Sequence, residues 1–185
     1  MQKRDLIKEK NWTFLLLIDE DKLLEMCHID YFLSSKPGGQ HRDKKASSVR
    51  LSLKNTTIVV SASENRSMNM NMKSAVKKLK IEITCQLRSS IDLIIFIKSF
   101  DLFEAFNKNG SLSNGKLSYA SSNKNYLPMC AFIFDLMNND KWGISNISKK
   151  LGISNTNLVS FLLKEKRLIV WVNQQRAKNG MNSLK

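Results

Sequence analysis

Cysteine is scarce in this chain of 185 residues: Cys27, Cys85 and Cys130 are its three, far apart in sequence. An odd count with no close spacing argues against a disulfide framework and against a zinc site, and leaves reduced, packed thiols as the expectation. Histidine is scarcer still. His28 and His41 complete no ligand set with metal-site spacing, so neither a metal nor a cofactor is expected. No Ser-His-Asp or Cys-His set and no phosphate-cradling glycine loop stands out. The N-terminus, Met1 to Lys10, is charged and lacks the apolar centre of a signal peptide. Long apolar runs are missing as well. Trp12 to Ile18 is short and is followed at once by Asp19, Glu20 and Asp21. The greasiest stretch, Ile91 to Phe106, holds Asp92, Lys98, Asp101 and Glu104 and is too short to span a bilayer. It reads as a buried or partner-facing helix. These absences make a cytoplasmic chain without a membrane segment the expectation.

Acidic residues are also in short supply. Thirty Lys and Arg stand against 16 Asp and Glu, a formal net charge of +14. Such a surplus disfavours compaction unless a polyanion neutralises it, and the basic residues are spread along the chain rather than gathered in one tail. Nucleic acid is the leading class of partner, ahead of an anionic membrane surface. The apolar fraction of 42% is ordinary for a folded chain.

Asp21 to Cys27 reads as a short helix and Ile29 to Leu33 as a strand. Ser34 to Lys45 is a polar loop with Pro37, Gly38 and Gly39. Val49, Leu51 and Leu53 then alternate with Ser48, Arg50 and Ser52, the period of a half-buried strand. Asn55-Thr56-Thr57 forms a turn, and Ile58-Val59-Val60 begins the return strand of a hairpin. From Ser67 the period becomes helical: Met72, Val76, Leu79 and Ile83 share one face, and Lys73, Lys77, Lys78 and Lys80 lie around the others. Asn107 to Asn125, rich in Asn, Ser, Gly and Lys, reads as a mobile linker. Beyond it come four helices: Leu127 to Met137, Ile144 to Leu151, Asn155 to Leu163 capped by Ser154, and Leu168 to Lys178 closed by Gly180. The expected class is α+β, a β-hairpin sheet packed on helices followed by a helical module. The expected divisions are residues 1–106, a linker at 107–125, and residues 126–185.

The loop carries the chemistry. Adjacent Gly38 and Gly39 permit backbone conformations that residues with a Cβ avoid and let the chain enter a crowded site. Gln40 is neither acid nor base near neutral pH, but its backbone N–H and its amide both donate hydrogen bonds to developing negative charge. His41, Arg42, Lys44 and Lys45 suit phosphate contacts.

The stretch Ser34-Ser35-Lys36-Pro37-Gly38-Gly39-Gln40-His41-Arg42-Asp43-Lys44 resembles the GGQ loop of the class I peptide chain release factors and of their codon-independent, ribosome-rescuing relatives. The likeness runs on through Ser47-Ser48-Val49-Arg50-Leu51, Ile58-Val59-Val60, Arg66-Ser67 and the basic helix, about residues 21 to 90 in all. A tripeptide alone recurs by chance; this ordered series of strand, hairpin and basic helix is specific.

The resemblance implies a loop that enters the peptidyl transferase centre of the large ribosomal subunit and hydrolyses the ester of peptidyl-tRNA. Gly38 and Gly39 would shape the loop. Gln40 would stabilise the transition state through its backbone N–H and admit water with its side chain, and would be the target of a glutamine methyltransferase. Lys36, His41, Arg42, Lys44, Lys45, Arg50, Arg66, Lys73, Lys77 and Lys78 would face ribosomal RNA. Lys36 and Asp43 depart from the family, which usually has Gly and Asn there; this bears on loop geometry and leaves the tripeptide intact. A full release factor places a codon-reading domain ahead of this one, whereas residues 1–20 precede it here, so codon-independent action by a monomer is expected.

Residues 147–159, with Gly152 at a turn and Ser154 as cap, resemble a helix-turn-helix core. Trp171-Val172-Asn173, Arg176 and Gly180 resemble the C-terminal part of bacterial release-factor-like proteins. The same apolar residues also suit a plain helical bundle. Contact with RNA or a ribosomal protein is the favoured role of this module. The alternatives to a hydrolase are a non-catalytic ribosome- or RNA-binding factor that retains the GGQ fold, and a DNA-binding regulator using Ser154 to Leu163.

Overall fold

The computed structural model describes residues 12–33, 46–89 and 115–185. These hold seven helices and three strands: α1 (Trp12–Leu17), α2 (Glu20–Glu25), β1 (Cys27–Phe32), β2 (Ser48–Leu53), β3 (Val59–Ala62), α3 (Met68–Gln86), α4 (Tyr126–Asn139), α5 (Ser145–Leu151), α6 (Asn155–Leu162) and α7 (Lys166–Lys178). The class is α+β. The loop of residues 34–45 and the apolar stretch Ile91 to Phe106 lie outside the described residues.

The strands form one antiparallel sheet in the order β1-β2-β3. The register sets Tyr31 opposite Val49 and Leu51 opposite Val60. The alternation along β2 does what its period dictates: Val49, Leu51 and Leu53 are buried, and Arg50 faces solvent. The β2–β3 turn rests on Asn55 at φ 60°, a conformation Asn tolerates, and on the Thr56 hydroxyl, which donates to Leu53 O at 2.8 Å.

Helix α3 is capped by Ser67, whose hydroxyl accepts from Met70 N. Its face with Ala75, Val76, Leu79 and Ile83 is buried, and the helix packs on β2 and β3. The single apolar face read from the sequence is only part of its burial. Ile81, Thr84 and Cys85 are buried too, because α3 also packs against α1, α4 and α7. Helix α4 is apolar nearly all round and buries residues from Tyr126 to Met137, as a helix enclosed on several sides must. Pro128 sits in its first turn, where the missing N–H costs nothing. Tyr126 joins α4 to α6: its hydroxyl donates to Phe161 O at 3.1 Å and the two rings lie 4.9 Å apart. Arg167 of α7 reaches Glu82 of α3 with two N–H groups, at 2.6 and 3.2 Å. Within the stretch read as a linker, Leu117 is buried and its N–H donates to Asn157 Oδ1 at 2.7 Å. Gly152 and Gly180 take φ 68° and 70° at helix ends, as their sequence positions predict. Cys27, Cys85 and Cys130 are free and buried, and burial pushes the Cys27 thiol up to about 11.

One buried carboxylate joins three parts of the chain. Asp135 of α4 accepts from Trp12 Nε1 at 2.6 Å, from Ser89 N at 3.2 Å and from Arg88 at 3.4 Å. Burial raises its pKa to about 6 despite the hydrogen bond from Trp12 and the charge of Arg88. A folded-state value above the unfolded one of about 3.9 means that the native state holds this proton more tightly. The stabilisation from Asp135 is therefore complete below about pH 4 and is lost as the pH rises through about 6. Asp135→Asn, which keeps an acceptor for Trp12, should flatten this part of the stability profile. Urea unfolding across pH 4.5 to 7.5 checks it: parallel profiles for wild type and variant would contradict the assignment.

Candidate functional site

The segment bearing the Gly-Gly-Gln tripeptide is held at both ends by the sheet. Phe32, the last residue of β1, pairs with Ser48, the first of β2, so the chain leaves and re-enters at one point of the sheet. Any group carried between them is thereby returned to a fixed base, however the intervening residues run.

Asn71, in the first turns of α3, makes that base. It is fully buried. Its amide donates to Ser47 O and to Asn65 O, both at 2.8 Å, and its Oδ1 accepts from Asn65 N at 2.9 Å. Three backbone groups are satisfied by one side chain. The contact ties the downstream end of the loop, the β3–α3 connection and α3 together. Nothing in the local sequence flags it, since Asn among Met and Ser at a helix start reads as a solvent-facing residue.

Arg66 follows Asn65 directly and is exposed, and Lys73 stands exposed two residues beyond Asn71. Arg50 lies on the outer face of the sheet with its guanidinium 5.1 Å from the ring centre of Phe32. Arg50, Arg66 and Lys73 thus stand exposed within a few residues of the loop base, Arg50 on the outer face of the sheet opposite Asp30 and Lys73 on α3. Lys77 and Lys78 sit further along α3, roughly 9 to 11 Å along the helix axis from Asn71 at 1.5 Å per residue. Lys77 is 3.8 Å from a Glu165 carboxylate oxygen. Lys78 pairs with Glu64 and donates to Ser61 O at 2.8 Å, and the pairing holds the Glu64 carboxyl below the usual carboxylate range. Lys80 pairs with Glu20 at 2.8 Å. Lys36, Gly38, Gly39, Gln40, His41, Arg42, Lys44 and Lys45 lie outside the described residues. Among the described residues no helix is long and apolar enough to cross a membrane.

Comparison with known proteins places this arrangement. Residues 18–91 match the RF-1 domain family. The peptide chain release factor 2 of Campylobacter hominis is 44% identical over 63 residues, covering 34% of this chain and 16% of that protein. The peptide chain release factor 2 of Helicobacter pylori is 44% identical over 70 residues, 36% of this chain and 19% of that protein. The chain spans less than a fifth of the length of these relatives. No solved structure matches. The match over residues 18–91 takes in nearly the span that the motif series from the loop to the basic helix delimits, and it makes this stretch similar to the RF-1 domain of peptide chain release factors.

Asn71→Ala should lower stability by about 1–3 kcal/mol, since it removes a buried side chain's three hydrogen bonds to part-buried backbone groups. Asn71→Asp retains the acceptor for Asn65 N–H and loses both donors, so it should not restore stability. Urea unfolding of the three proteins tests this, and an unchanged midpoint for Asn71→Ala would show that the loop base is held by other means.

Proposed function

We propose that this chain is a ribosome-dependent, codon-independent peptidyl-tRNA hydrolase that acts in translation termination or in the rescue of stalled ribosomes. The reading rests on one observation: Gly38-Gly39-Gln40 falls within the stretch that matches the RF-1 domain, between the paired strands β1 and β2.

The loop is delivered to the peptidyl transferase centre, and the cations at its base contact ribosomal RNA phosphates, a partner class that the net charge of +14 favours. Lys36, His41, Arg42, Lys44 and Lys45 continue that contact along the loop, and Lys77 and Lys78 extend it along α3. At the reacting ester, water attacks the carbonyl carbon that joins the peptide to the tRNA. A tetrahedral oxyanion forms and the bond to the ribose oxygen breaks; one proton of the attacking water ends on that oxygen and the other passes to solvent, leaving free tRNA and the peptide carboxylate. The backbone N–H of Gln40 donates to the developing negative charge, a role that needs no acid or base and that Gly38 and Gly39 permit by allowing close approach. The Gln40 amide orients the water and is the position for methylation by a glutamine methyltransferase. The ribosome completes the site. Residues 126–185 form a helical module joined to this domain.

Release of labelled peptide from ribosomes stalled without a stop codon tests the proposal. Wild type should release, and Gln40→Ala should bind ribosomes equally and release at least about a hundredfold more slowly, the scale of losing an oxyanion donor or a positioned water. Ribosome binding without release by either protein would favour a non-catalytic ribosome-binding factor that retains the fold.

A further inference from the structure

The C-terminal helices carry a second surface that the release reaction does not use. Helix α5, the turn at Gly152 and helix α6 make a compact pair. Gly152 supplies the left-handed turn at φ 68°, and Ser154 caps α6 by accepting from Asn157 N at 3.1 Å. Leu158, Phe161 and Leu162 turn one side of α6 into the core. Thr156 and Ser160, four residues apart, stand one above the other on the exposed side. This is the arrangement by which a helix-turn-helix offers its second helix to a nucleic acid.

The charge agrees. Residues 141–185 hold nine Lys or Arg and one acidic residue, Glu165, which lies against Lys77. Several of these cations are engaged within the protein: Arg167 with Glu82, Arg176 with Trp142 O, and Lys164 with Tyr119 O. Lys149 and Lys150 are not. Both are exposed in the last turn of α5, and neither side chain has a partner among the described residues. They flank the turn that leads to Thr156.

The polar side chains of α6 decide how such a surface binds. Reading bases takes long or amide side chains, Arg to guanine or Asn and Gln to adenine. No Arg or Gln is present on α6. Asn155 is hydrogen-bonded to the Ser148 hydroxyl, and the Asn157 amide is held by the backbone of Leu117 at 2.7 and 3.3 Å. The Thr156 and Ser160 hydroxyls and the Lys149 and Lys150 ammonium groups remain without a partner among the described residues. They suit ribose 2′-OH and phosphate groups, the features that a double-stranded RNA helix displays and by which it is recognised through shape.

We infer that α5, its turn and α6 form a sequence-independent docking surface for an RNA helix, in which Lys149 and Lys150 contact phosphates and Thr156 and Ser160 contact the ribose edge. The choice of RNA over DNA rests on these hydroxyls together with the ribosomal reading above; a nucleic-acid surface as such does not depend on that reading. Two RNA contacts on one chain reinforce each other through effective concentration.

The test measures binding of the full chain to a short RNA duplex and to a DNA duplex of the same sequence, over a range of salt. Lys149→Glu/Lys150→Glu should weaken RNA binding by about tenfold or more and lower the salt slope by about two. Lys22→Glu/Lys124→Glu, an equal charge change elsewhere on the surface, should do markedly less. Thr156→Ala/Ser160→Ala should narrow the preference for RNA over DNA, and changing the base sequence should have little effect. Equal losses in the two charge-reversed proteins would overturn the inference, as would equal or tighter binding of DNA. So would unchanged duplex binding with impaired ribosome binding, which would point to a ribosomal protein instead. Gln40→Ala should leave duplex affinity unchanged. Duplex binding of this kind without peptide release would sink the hydrolase reading alone, and release without it would sink this inference alone.

Discussion

A helix buried on two sides has to be matched by two separate partners, and α3 is such a helix. Its Val76, Leu79 and Ile83 are enclosed with the sheet on one side, while Ile81, Thr84 and Cys85 are buried with α1, α4 and α7 packed around the helix. Burial of that many large apolar side chains, at about 1.5–3 kcal/mol each, outweighs any single polar contact. The remaining features follow from this placement. The sheet turns its outer face to solvent, α4 becomes apolar nearly all round, and Asp135 is drawn into the interior, where Trp12, Arg88 and Ser89 N–H must satisfy it.

The same helix sets the loop base. Because its N-terminal turns lie against the ends of β2 and β3, Asn71 reaches Ser47 and Asn65 at once. The tripeptide segment therefore starts from a framework held by backbone pairing on one side and by a buried amide on the other. Positioning of this kind is what a loop acting at a distance from its own domain needs, since small errors at the base grow along the loop.

Much of this was legible in the sequence because it depends on local periods. The alternation of Val49, Leu51 and Leu53 predicts the inner face of β2 directly. Ser67, Ser154, Gly152 and Gly180 mark helix ends, and the four C-terminal helices fall within a few residues of their expected limits. What was not legible depends on distant partners. Helix α1 is six residues long, too short to show a period. The second buried side of α3 is interleaved with Lys77, Lys78 and Lys80, so the sequence reads as one apolar face among charges. Lys78 and Lys80 find Glu64 and Glu20 14 and 60 residues away. Asn71 finds Ser47 24 residues away. The chemistry expected of Gly38-Gly39-Gln40 comes from the sequence, on residues outside the described ones, while the contacts that hold the ends of β1 and β2 appear only in three dimensions.

The central claim is that this domain carries Gln40 to the ester of peptidyl-tRNA. The most direct measurement is a cryo-electron microscopy reconstruction of the full chain on ribosomes that hold a non-cleavable peptidyl-tRNA. The account predicts Gly38-Gly39-Gln40 at the ester in the peptidyl transferase centre, with Arg50, Arg66 and Lys73 on nearby RNA phosphates. A chain bound elsewhere on the ribosome, with the tripeptide far from the ester, would contradict it.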